Sequence, residues 1–132
     1  MYNEAFGWLW IAMGFTTGVW LGTGFQREEF LGGYASWRRR MARLGHIALY
    51  ALGVLNIVFV LSLPRFGLGY AWAQAAAWCL MLGAFAMPAC CFLCAWRKPY
   101  ARFFPVPVLL LMTGGTIMWV GMWAGVLRGV EP

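Results

Sequence analysis

The sequence predicts an all-α membrane protein, four transmembrane helices in one up-down antiparallel bundle. Three observations lead there. Of 132 residues, 63% are apolar and only 11% are charged, where a water-soluble domain carries about 25% charge. Four apolar stretches are each near the ~20 residues a helix needs to cross the hydrocarbon. Eight of the ten Lys and Arg residues fall in two clusters between those stretches. A chain with too little polar surface to cover a globule suits a lipid solvent, where an apolar exterior is the correct one. The length suits a single transmembrane domain over residues 1–132.

The first span is expected over Ala5–Phe25, which carries no charge. The preceding MYNEAFGW has no basic n-region, so a cleaved signal peptide is not expected. No lipidation motif is seen at either end. The second span is expected over His46–Leu63 and the third over Tyr70–Trp96, interrupted only by Gln74 and Pro88. The third is long, so it should tilt or bend, and Pro88 is the expected bend. The fourth span, Pro105–Leu127, opens on Pro105 and Pro107, where proline is tolerated in a helix. Short connectors make chain neighbours antiparallel.

Between the first two spans, Phe30, Tyr34, Trp37, Met41 and Leu44 recur at steps of four and three. At 100° per residue they share one face. That pattern predicts a short amphipathic interfacial helix between helices one and two. Gly32 and Gly33 oppose it, since each costs about 1 kcal/mol in a helix interior. An ordinary basic loop anchored by Trp37 is the equal alternative. Trp8, Trp10, Trp72, Trp119 and Trp123 are expected at one interface, and Trp37, Trp96, Phe103 and Phe104 at the other.

Arg27, Arg38, Arg39, Arg40 and Arg43 precede span two, and Arg97, Lys98 and Arg102 precede span four. Only Arg65 and Arg128 fall on the other side. The positive-inside rule places the eight in the cytoplasm and both termini outside it. For a bacterial inner membrane, the expected setting, that side is periplasmic. The net charge of +6 is thus read as topology and anionic lipid, not nucleic acid. Arg38, Arg39, Arg40, Arg43, Arg97, Lys98 and Arg102 are the candidate headgroup partners.

Helices in lipid associate by close backbone approach, which small residues permit. Span one carries Gly14, Gly18 and Gly22 at four-residue steps, with Gly7 one heptad earlier. Span three has Cys79, Gly83, Ala86 and Cys90 on one stripe. Span four has Gly114, Met118, Gly121 and Gly125. Span two is weaker, with Ala48 and Ala51 a turn apart and Gly53 on a different side.

His46 is the only histidine. It suits a haem or chlorophyll metal, a proton or a quinone. A haem held by two histidines needs a second ligand from a partner. The plainer reading, an interfacial histidine bonded to a carbonyl or headgroup, is preferred. Tyr50 and Asn56 lie along the same broad face, Asn56 about 15 Å deeper. A buried amide in hydrocarbon needs a partner, and Thr16, Thr17, Thr113, Thr116 and Gln74 are the candidates. Cys90, Cys91 and Cys94 sit in an apolar span with no histidine or second cysteine pair to complete a zinc site, so they read as small packing residues. Met112, Met118 and Met122 read the same way.

No metal set, nucleophile–base pair or phosphate loop is present. No acidic residue lies within a span: Glu4 and Glu131 flank the outer side, and Glu28 and Glu29 sit in the basic connector. The first expectation is therefore a non-catalytic accessory subunit, not an enzyme. Its partners are other transmembrane subunits, in a respiratory or photosynthetic electron-transfer complex. No cofactor of its own is expected. The alternative is a redox subunit binding haem, chlorophyll or quinone at His46 on a partner interface. A small transporter or channel ranks last, because pathways usually use a charge within the membrane.

Overall fold

A computed structural model describes residues 2–129, so Glu131 lies outside the described residues. Four helices account for most of the chain: α1 (Asn3–Phe25), α2 (Trp37–Ser62), α3 (Tyr70–Trp96) and α4 (Pro105–Leu127). Short 3₁₀ turns occupy Phe30–Gly32, Leu63–Arg65 and Lys98–Phe103, and no strand occurs among the described residues. All four helices are long and apolar enough to cross a membrane.

The bounds of α3 and α4 coincide with the apolar stretches that predict them. Helix α2 does not. It starts at Trp37, well before His46, and absorbs the basic segment into its first turns. The cause is local. Leu31, Gly32 and Gly33 all have positive φ, at 56°, 85° and 88°, a backbone that no right-handed helix can pass through. After this break Ser36 is extended, and its hydroxyl accepts from the Arg39 N–H at 3.2 Å. That is an N-cap, and it sets the start of the helix. The expected interfacial helix is therefore not formed. Its first apolar residue, Phe30, belongs to a separate turn, and Trp37, Met41 and Leu44 belong to α2.

Each helix packs along its chain neighbour, α1 on α2, α2 on α3 and α3 on α4. Helices α1 and α4 do not pack on each other. Helix α1 also touches α3, through Asn3 and Trp10, and with no α1–α4 seam the four helices form an open row, not a closed ring. Phe59 of α2 forms the centre with Ala76, Ala77 and Leu80 of α3, and Leu111, Ile117 and Met118 of α4 pack against it. Small Ala76 and Ala77 side chains on α3 leave room for the Phe59 ring.

Glycines set the remaining seams. On α1, Gly7 meets Gly53 and Ile57, Gly14 meets the Tyr50 ring, and Gly18 meets the His46 ring. The small residues of α1 thus receive the large ones of α2. Gly53, set apart in the sequence pattern, faces Gly7 across the seam: a Cβ there would lie 2.8 Å from the Gly7 carbonyl oxygen, and one on Gly7 2.6 Å from the Gly53 carbonyl oxygen. Gly22 faces open space. Gly83 packs on Leu111, and Gly114 on Leu80 and Cys79.

Gly121 and Gly125 serve a different purpose. They form a notch in α4 that takes the connector between α2 and α3. The Phe66 ring lies on Gly121, and the backbone of Arg65 and Gly67 lies on Gly125. The Gly67 N–H donates to the Gly121 carbonyl at 2.8 Å, and Arg128 Nη1 donates to the Gly67 carbonyl at 2.6 Å.

Candidate functional site

His46 lies nine residues into α2, half-buried against α1. Its Nδ1 is 3.0 Å from the Thr17 hydroxyl. That hydroxyl donates to the Gly14 carbonyl, also at 3.0 Å. A threonine hydroxyl has one hydrogen. In the tautomer that carries its hydrogen on Nδ1, the Thr17 oxygen accepts it and the lone pair of the imidazole is on Nε2. Gly18 makes room for the ring: a Cβ there would lie 2.9 Å from Cε1. Tyr50, one turn on, meets the imidazole edge-to-face at 5.1 Å, and Phe15 meets Tyr50 in the same manner at 5.3 Å. The ring is thus oriented by a hydrogen bond on one side and by an aromatic pair along the helix. Metal-ligating histidines are commonly oriented through the nitrogen that does not bind the metal. Thr17 is the residue that sequence reasoning assigned elsewhere.

Asn56 does not join this group. It is fully buried and donates to the Leu52 carbonyl at 2.8 Å. Its Oδ1 accepts from Asn3 Nδ2 at 2.9 Å, and the same Asn3 nitrogen donates to the Ala77 carbonyl at 3.0 Å. Asn3 and Asn56 together tie α1, α2 and α3. None of the five expected partners makes this bond. Asn3 was the missed residue because it falls outside the apolar stretch, beside Glu4. Among the other polar residues, Thr16 is exposed and donates to its own helix at Ala12, and Gln74 pairs with Tyr70 at 2.6 Å.

Trp10 corrects a further expectation. It is buried, not at the interface, and its indole N–H donates to the Ala84 carbonyl at 2.9 Å, linking α1 to α3. Trp8, Trp72, Trp119 and Trp123 are all exposed. Cys90, Cys91 and Cys94 are buried free thiols in α3. The Cys94 carbonyl accepts from the Trp37 indole N–H at 2.9 Å.

That bond joins the two basic segments at one end of the row, where Lys98 Nζ also lies 6.0 Å from the Trp37 ring centroid. Arg38, Arg40, Arg97, Lys98 and Arg102 are exposed there. Arg39 turns inward. Its guanidinium carbon sits 4.3 Å over the Phe25 ring and 5.6 Å from Tyr34, and Arg43 covers Tyr34 at 4.9 Å. Cation–π contact partly replaces the water that burial removes. Arg39 Nε has no hydrogen-bond partner. Arg128 is fastened to the connector at the opposite end.

No known protein family, characterised protein or solved structure matches the chain.

Proposed function

We propose that the chain is a four-span integral membrane protein that serves as a non-catalytic accessory subunit of a larger membrane complex. The open row carries this reading. A four-helix chain that does not close on itself leaves two edge helices, α1 and α4, whose outer faces are apolar. Both edges offer small residues to another helix: Gly22 on α1 and Gly115 on α4 have nothing within 4 Å of where a Cβ would stand. Helices in lipid use such positions for close approach. The host is an electron-transfer assembly, respiratory or photosynthetic, in a bacterial inner membrane.

The up-down course is supported by contact order. Gly7, Gly14 and Gly18 meet Gly53, Tyr50 and His46, so one helix is read forward as the other is read backward. The same reversal relates Gly83 and Gly114 to Leu111 and Leu80. Eight basic residues near one end of the row, against two near the other, support a cytoplasmic position for the first end and periplasmic termini. After mild detergent extraction the chain is expected to comigrate with larger subunits on a native gel. Migration only as a monomer or homo-oligomer would remove this reading.

A second reading has one observation in its favour. Thr17 holds His46 at Nδ1, and in the Nδ1–H tautomer Nε2 has the lone pair that a metal or a quinone would use. A haem, chlorin or quinone at a partner interface would take it, with Tyr50 packed beside the imidazole. In the purified complex His46→Ala should abolish a cofactor absorption band and Thr17→Val should shift it. A band indifferent to both substitutions excludes His46.

A further inference from the structure

We infer that the basic end of the row holds one anionic phospholipid in a formed site between α1, α2 and α3. The inference rests on the membrane reading above. The site consists of two adjoining clefts of unlike character. The first, of about 570 Å³, is lined by Trp20 of α1, Arg38 and Ala42 of α2, and Phe92 and Ala95 of α3. It is apolar apart from Arg38. The second, of about 380 Å³, is bordered by Gly32, Ser36, Arg38, Lys98 and the Trp37 ring. Leu31, Arg38, Ala95 and Trp96 line both, so the two run into each other.

This is the shape of an amphiphile. An acyl chain lies on Trp20, Ala42 and Phe92, pointing toward the middle of the membrane. A phosphate lies between Arg38, at the start of α2, and Lys98, in the connector from α3 to α4, which border the same cleft. Among the described residues neither has an acidic partner, and Glu4, Glu28 and Glu29 are absent from this lining. Arg39 next to Arg38 is buried on Phe25 with an unpartnered Nε, which adds positive charge beside the cleft. The break at Leu31–Gly33 produces the cleft, because it folds the connector back over the α2 start and leaves Gly32 without a side chain at the rim.

The full-length protein, purified in a mild detergent and titrated with dioleoyl phosphatidylglycerol, tests this by native mass spectrometry. One lipid should be retained per chain. Arg38→Gln with Lys98→Gln should weaken retention at least about tenfold, given the usual contribution of a basic residue near an anionic surface. Ala95→Phe, which fills both clefts and keeps every charge, should do the same. Arg27→Gln with Arg65→Gln, an equal charge change at exposed residues outside the clefts, should retain the lipid. Dioleoyl phosphatidylcholine should bind far more weakly, and glycerol 3-phosphate should not compete. Equal retention of phosphatidylcholine, equal loss in the Arg27 and Arg65 variant, or displacement by glycerol 3-phosphate would each overturn the site. A chain that stays in membranes through alkaline carbonate but shows one of these results refutes the site alone. A chain released by carbonate refutes the membrane reading with it.

Discussion

Asn56 shows what a single polar side chain does in an apolar helix. It needs partners, and it finds them in Leu52 and Asn3, while Asn3 goes on to Ala77. Removing either amide strands the other in a place without water. Asn3→Ala and Asn56→Ala should each destabilise the fold, by about 0.6–2 kcal/mol. The double variant should cost less than the sum, because the two share one bond. Reversible unfolding in mixed detergent micelles measures both, and strict additivity would mean the bond contributes nothing. The need of Asn56 for a partner was legible in the sequence, but the partner was not. Asn3 stands beside a charge at the end of α1, and only the way α1 lies on α2 brings it to residue 56. The same holds for His46. Its chemistry was visible, but its hydrogen-bond partner, Thr17 on another helix, was not.

At the scale of the element, α2 records a competition between periodicity and backbone conformation. The steps of four and three from Phe30 to Leu44 do describe a helical face, but three consecutive residues in left-handed conformations cut it. Gly32 and Gly33 were the warning, since glycine adopts positive φ without strain. Leu31 was not, because nothing in its side chain announces a φ of 56°. The cap predicts the size of the effect: Ser36→Ala should cost about 1 kcal/mol, and amide exchange should rise in residues 37–40 before the rest of α2. Uniform protection across α2 in that variant would show that packing, not the cap, holds its start. The glycines of α1 divide in the same physical way. Gly14→Ala pushes a Cβ to 2.9 Å from the Tyr50 ring, and Gly22→Ala meets nothing. The first should destabilise by about 1–3 kcal/mol. The second should be neutral or stabilising, since alanine favours the helix. The sequence stripe treated all three positions alike, because periodicity says which residues share a face but not where a neighbouring helix stops.

For the whole molecule, the four helices and their apolar length were plain in composition, and the row was not. Helices that are apolar on most sides carry no stripe to say which faces meet, so an open row and a closed ring read alike. What distinguishes them is the α1–α4 contact, and α4 is occupied instead by the connector from α2 to α3. Gly125→Ala should therefore disturb more than one helix pair. The new Cβ would run into the Arg65 carbonyl, backbone that has no rotamer with which to yield, and the cost should reach about 1–3 kcal/mol. Thermal unfolding in detergent should show the loss, and an unchanged midpoint would mean the connector moves freely. Reporter fusions test the orientation at the same scale: a periplasm-dependent phosphatase should be active at either terminus.

The notch at Gly121 and Gly125 also sets a schedule. Its occupant is made early and its walls are made last, so the turn between α2 and α3 waits, unsatisfied, while some sixty further residues are synthesised. Until α4 arrives, the Gly67 N–H has no carbonyl to donate to and Phe66 has no surface to lie on. A chain ended after α3 is therefore expected to be cut by protease at that turn faster than the full chain, in which α4 covers it.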